Sequence, residues 1–253
     1  MTKRTIYILK DIYSKESSFV LLNHKKKHHM PLPILYQDQH YLAINKPHGL
    51  LVHRSPIARD ATEFALQLVR DQIGQPVHLV HRLDRKTAGV LLFGLSAAAT
   101  QAAQANWGTA QKTYHALVRG YFPEKITVDK PLINDKGKEQ EAVTYFELMS
   151  QSEMPWPSGK FSTSRYSLIQ AQPQTGRFHQ IRKHCNHLRH PILGDRPHGC
   201  NKQNRLLKAR FGLSKMLLHA TALDWVHPYT QELLCIQAPL SKEFQEMQQH
   251  LHL

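Results

Sequence analysis

From Ile34 onward, short β-rich runs outnumber the helical stretches and do not alternate regularly with them, an order that argues for an α+β fold over a doubly wound sheet. Strands are expected at residues 34–36, 41–45, 50–53, 77–83, 90–95, 114–121, 142–149, 165–171, 216–225 and 233–237, bounded by turn formers. A helix should start from an N-cap at Asp60, with Phe64, Leu68, Val69 and Ile73 on one face and Gly74 just past its end. Ser96 can cap an alanine-rich helix over 97–105, and further helices are expected near 177–188 and after Ser241. The run His24-Lys25-Lys26-Lys27-His28-His29 sets the first residues apart. Residues 1–30 are expected to form a loosely ordered basic extension, either a solvated tail or an RNA grip, with Met30 as an alternative start. Residues 31–253 are expected to hold the ordered fold, since 41% apolar composition can bury a substantial core in one large domain or two small ones.

Charge narrows the partner. Lys+Arg number 33 against 19 Asp+Glu, a formal balance of +14, and a polyanion is the natural complement because phosphate contacts release counterions. Cys185, Cys200 and Cys235 form no CxxC pair and are odd in number, which fits a reducing, cytoplasmic compartment. No run reaches the ~18 apolar residues of a membrane span. The absence of GxGxxG and P-loop sequences gives nucleotide cofactors no support. His179, His184, Cys185, His187, His190, His198 and Cys200 crowd one stretch, but their spacing matches no zinc pattern and several adjoin Arg or Lys, so no metal is expected.

Three segments could carry chemistry. The first is His81-Arg82-Leu83-Asp84-Arg85-Lys86-Thr87-Ala88-Gly89, in which the flanking cations favour an ionised Asp84 that could serve as nucleophile or base. Taken alone, it reads first as a structural ion pair in a turn. The second is Thr175-Gly176-Arg177-Phe178-His179-Gln180-Ile181-Arg182-Lys183-His184. On a helix turning about 100° per residue, Phe178, Ile181, Cys185 and Leu188 share one face and Arg182 lies at its edge. There a guanidinium needs a carboxylate, and Asp84 is the candidate. Arg177, His179, Lys183 and His184 fall on sides read as exposed. The third is the alternating segment Lys112-Thr113-Tyr114-His115-Ala116-Leu117-Val118-Arg119-Gly120. Its Tyr114 is either a core residue or a ring presented to a base.

Together these segments resemble the RluA-type family of pseudouridine synthases, whose signature surrounds a catalytic aspartate in a His-Arg-Leu-Asp sequence, here His81 to Asp84. His190-Pro191-Ile192-Leu193-Gly194-Asp195 and Leu217-Leu218-His219-Ala220 continue the agreement, which covers residues 32–240. Ala88 departs from the family's serine and removes a hydroxyl. The stretches Leu51-Val52-His53-Arg54-Ser55, Val69-Arg70-Asp71-Gln72-Ile73-Gly74-Gln75 and His187-Leu188-Arg189-His190-Pro191 resemble the subfamily that modifies uridine 65 of tRNA.

The resemblance implies a long, mostly antiparallel sheet with flanking helices and a central catalytic cleft. It implies no cofactor, because uracil is detached, turned and rejoined through carbon 5 without redox. Asp84 would act on the ribose, Arg182 would orient it, and Tyr114 would stack on uracil and help remove the carbon 5 proton. Arg82 would fill the space left by the flipped nucleotide, and Leu218 would floor the pocket. Arg85, Lys112, Arg177, His179, Gln180 and His184 are further candidates for RNA contact, while Asp195 is assigned a structural role. The partner is expected to be tRNA, the protein a cytoplasmic monomer without an obligatory protein partner. A ribosomal RNA substrate and a non-catalytic RNA-binding or folding factor are the alternatives.

Overall fold

The computed structural model describes residues 30–54 and 61–253. Residues 1–29 of the expected extension, Ser55 and the expected N-cap Asp60 lie outside the described residues.

In chain order the elements are β1 (Ile34–Gln37), β2 (Tyr41–Lys46), α1 (Ala65–Ile73), β3 (His78–Leu79), β4 (Ala88–Gly94), α2 (Ala97–Ala105) and β5 (Gln111–Arg119). There follow β6 (Lys125–Asp129), β7 (Leu132–Ile133), β8 (Glu139–Gln140), β9 (Val143–Met154) and β10 (Ser164–Pro173). The chain continues through α3 (Gln180–His187), α4 (Asn201–Phe211), β11 (Leu218–Val226), β12 (Leu233–Gln237) and α5 (Lys242–His250). The fold is α+β, built on one long sheet in the order β1-β2-β4-β11-β5-β10-β9-β6, with β12 added to β11 and β3 to β4.

Alternation along the strands divides the core between the two faces of this sheet. Leu42, Ile44, Leu91 and Phe93 pack into one cluster. Their neighbours Tyr41, Ala43, Val90 and Leu92 enter a second, with Trp225 and Ala99 of α2. Every residue of β4 is buried, as a central strand covered on both faces must be. β4 pairs parallel with β11 through His219↔Ala88 and Ala220↔Gly89, whereas β11 and β5 are antiparallel with Ala220 opposite Tyr114. The parallel pair is the fold's main consequence for function, because it sets the loop before β4 beside the start of β11 and the middle of β5. It also needs Gly89, whose φ is 111° and whose absent Cβ would lie 2.0 Å from the Ala220 carbonyl oxygen.

Three expectations need correction. Residues 50–53 do not form a strand; Leu51 makes one bridge to Phe64. The carbonyls of Leu51 and Val52 accept from the N–H groups of Ala65 and Leu66, the first donors of α1. Only His78–Leu79 of 77–83 is strand, and the rest is an open loop carrying Asp84. The third helix begins at Gln180, not 177, because His179 adopts a left-handed conformation, φ 58° and ψ 27°. Ser96 and Ser241 do cap α2 and α5, accepting from the N–H groups of Ala99 and Phe244.

Burial of imidazoles makes the fold acid-sensitive. It pushes His48, His81, His179 and His219 each from 6.5 down to about 4. Between those values the unfolded chain binds protons that the folded chain refuses, so stability is lost as pH falls from about 6.5 towards 4. Calorimetry from pH 7 to pH 5 should show a falling Tm with net proton uptake on unfolding; a flat Tm across that range would contradict the burial of these rings.

Candidate active site

A cleft of about 1130 Å³ opens where the loop before β4, the start of β11 and the strand β5 meet. Its wall includes Arg82, Asp84, Lys112, Tyr114, Arg182 and Leu218.

The Asp84 loop is anchored from below. Thr87 N–H donates to the Asp84 carbonyl at 3.1 Å, and Gly49 N–H donates to the Arg85 carbonyl at 2.8 Å. Lys46 is fully buried and donates from Nζ to the carbonyls of Leu50 at 2.9 Å, Pro47 at 3.0 Å and Arg85 at 3.3 Å. Three carbonyls match the three donors of an ammonium. Burial pulls that ammonium down to about 7, against the upward pull of the Asp84 charge. Lys46 is not among the residues that the sequence motifs single out. Its one mark in the sequence is its place just after the apolar run Tyr41–Ile44, which does not by itself show that the lysine is buried.

Arg182, only 3% exposed, is the hub. Nη1 donates to Asp84 Oδ2 at 3.0 Å, which joins the two residues singled out from separate motifs. Nε and Nη2 grip Asp195 at 2.7 and 2.9 Å in a bidentate pair. Asp195 is completely buried, so this fork keeps its charge from being stranded. The turn holding it is tight. Asn204 accepts from Gly194 N–H and donates to the Asp195 carbonyl, and a Cβ on Gly199 would fall 1.7 Å from that same oxygen. One guanidinium thus serves two carboxylates, and the trio carries a net negative charge presented at Asp84, whose side chain is 25% exposed.

Tyr114, 9% exposed, lies in β5 between Ala220 and Ala171 on the neighbouring strands. Burial, with Asp84 adding to it, raises its hydroxyl above the ordinary 10, so at neutral pH it is a phenol. Leu218 is buried, 4% exposed, at the start of β11. The cation Arg82 is exposed on the wall; Lys112 is half-buried, and burial lowers its ammonium. Arg85 Nε and Arg177 Nε donate to the Gly49 and Glu141 carbonyls, tying both side chains to the cleft walls. Ala88 enters β4 backbone-paired to His219.

Two expected RNA contacts have their polar atoms engaged within the protein, although Gln180 still lines the cleft. Gln180 is 4% exposed; its amide donates to the Val143 carbonyl and Thr144 hydroxyl, and its carbonyl accepts from Thr175 Oγ1 and Arg177 N–H. It ties α3 to β9. His184 is fully buried, bonded through Nδ1 to Thr144 Oγ1 and through Nε2 to the Lys130 carbonyl. Conversely Phe178, placed on the buried face by its spacing, is 58% exposed because it precedes the helix.

Residues 40–187 match the model of a family described as RNA pseudouridylate synthase. Relatives named tRNA pseudouridine synthase C include that of Vibrio cholerae, 45% identical over 227 residues covering 85% of this chain and 93% of the relative. That of Yersinia pestis is 46% identical over 227 residues, 85% and 88% respectively, and that of Haemophilus influenzae 44% over 229, 85% and 96%. Among solved structures, human RNA pseudouridylate synthase domain containing 4 aligns with a TM-score of 0.67 and 25% identity, covering 87% of this chain and 93% of that one. Human RNA pseudouridylate synthase domain containing 1 shares the fold, with a TM-score of 0.65, 21% identity, and 87% and 94% covered.

Proposed function

The chain belongs to the RNA pseudouridylate synthase family of isomerases, and from that premise we propose that it converts a uridine of tRNA to pseudouridine with Asp84 as the carboxylate that acts on the ribose. The observation that carries this reading is the Asp84–Arg182 contact at 3.0 Å on the wall of an open cleft. The names of relatives at 44–46% identity support tRNA as the substrate. The uridine at position 65 is the target implied by the subfamily resemblance.

The isomerisation balances without a co-reactant: the bond from N1 to the ribose breaks, carbon 5 takes its place, and the proton lost from carbon 5 is matched by one gained at N1. A uridine in a stem must first leave the stack, at a cost of a few kcal/mol. Arg82, exposed on the cleft wall, suits the space it vacates. Asp84 then attacks the sugar carbon or stabilises its positive charge, as a carboxylate does in glycoside chemistry. Arg182 fixes one carboxylate oxygen while Asp195 fixes Arg182. Tyr114 offers its ring to the detached uracil and Leu218 excludes water beneath it. Because burial keeps Tyr114 a phenol, stacking suits it better than the role of base at carbon 5.

Incubating the protein with RNA from a strain lacking it and mapping new pseudouridines tests the substrate. Modification is expected at position 65 of tRNA; modification confined to large-subunit ribosomal RNA would overturn the tRNA reading, and binding without any product would overturn Asp84's role.

A further inference from the structure

Asp84 is approached by a second arm besides Arg182. His179 holds a left-handed backbone, φ 58° and ψ 27°, a conformation histidine tolerates better than most residues. Its Nε2 lies 3.7 Å from Asp84 Oδ2, the same oxygen that Arg182 engages, and its Nδ1 lies 3.0 Å from His198 Nε2. The exposed Phe178 ring stacks on its face with centroids 3.7 Å apart. His198 in turn donates its backbone N–H to Asp195 Oδ1 at 3.4 Å. Both arms that reach Asp84 therefore grow from the one buried carboxylate of Asp195, through Arg182 on one side and through His198 and His179 on the other.

The charge on Asp84 fixes where the protons sit. An imidazole nitrogen facing a carboxylate is stable with its hydrogen on and repelled with a lone pair, so His179 carries its proton on Nε2. Nδ1 is then an acceptor, and His198 must donate from Nε2. We infer that His198, acting through His179, is a positioning pair for Asp84: it holds Oδ2 beside Arg182 and turns Oδ1 towards the ribose. The inference rests on the reading that Asp84 acts on the sugar. The 3.7 Å gap is longer than a hydrogen bond, a length common for catalytic contacts in a substrate-free cleft that close when substrate fills it. Burial, Arg182 and His198 all oppose a positive charge on His179, against the pull of Asp84 and Asp195. A neutral donor orients the carboxylate without quenching it as a second cation would.

The test compares single-turnover rates and tRNA affinities of three variants with the wild type. His179→Asn keeps a residue that accepts the left-handed backbone but is too short to reach Asp84. His198→Leu removes the donor, and His198→Gln restores an amide N–H near the same place. The first two should slow turnover roughly 10- to 100-fold with tRNA affinity unchanged, as misplacing a reacting group does, and His198→Gln should recover most of the rate. Weaker tRNA binding at an unchanged saturated rate would overturn the inference in favour of RNA contact. Equal losses of thermal stability in both His198 variants at the wild-type rate per folded molecule would overturn it in favour of a structural role. Wild-type protein that binds tRNA without making pseudouridine would overturn the parent reading and this one with it, whereas an active wild type matched by His198→Leu overturns this one alone.

Discussion

Asp84→Asn should bind tRNA as tightly as the wild type and form pseudouridine slower by on the order of 10⁴-fold or more, the loss that follows when a covalent or charge-stabilising group is removed and binding remains. The substitution keeps the shape of the side chain. Its carbonyl oxygen can still accept from Arg182 Nη1, now 3.0 Å from Oδ2, while Nε and Nη2 stay on Asp195. Folding should be nearly undisturbed, since Asp84 is 25% exposed and the bidentate pair persists. A thermal melt on the same sample separates loss of chemistry from loss of structure.

Arg182→Lys should cost both. An ammonium is a point charge, and it cannot grip both oxygens of Asp195 while also reaching Asp84. Whichever carboxylate it leaves is poorly compensated, and Asp195 has no exposure to water through which to recover solvation. Breaking a buried pair costs about 3 kcal/mol or more, so the melting temperature should fall by several degrees. Where the lysine settles on Asp195, Asp84 loses its orientation and single-turnover rates should drop about 100-fold or more. Retention of the wild-type rate and stability would remove the guanidinium fork from the account.

What could be read from the sequence follows the physics of each signal. β-forming runs bounded by turn formers mark strands, and the strands expected at 41–45, 90–95 and 233–237 are present as Tyr41–Lys46, Ala88–Gly94 and Leu233–Gln237. Short hydroxyl caps are local, so Ser96 and Ser241 were found. Tertiary hydrogen bonds leave no periodic trace. Lys46 looks like any lysine until three carbonyls close around it, and the carbonyls of Leu51 and Val52 that cap α1 are a backbone event. Helix α4 was missed because only Gln203 and Leu207 of its residues are buried, too few to make a stripe.

At the site, the Asp84–Arg182 pair could be anticipated, since a guanidinium at the edge of a buried helix face requires a carboxylate. That Asp195 takes two of its donors could not, because nothing local distinguishes a buried carboxylate in a turn from an exposed one. Helix α3 begins about one turn later than the spacing of Phe178, Ile181, Cys185 and Leu188 suggests. Starting it at Gln180 exchanges Phe178 for His184 on the buried side, three residues from Ile181 and satisfied by Thr144 and the Lys130 carbonyl.

The most direct measurement is a structure of the Asp84→Asn protein bound to its unmodified tRNA. The account predicts one uridine turned out of the stem, its base against Tyr114, its sugar carbon within about 3.5 Å of the side-chain atoms of residue 84, and the Arg182 fork still on Asp195. A target uridine left stacked in the duplex, or seated with its ribose against another carboxylate, would contradict it.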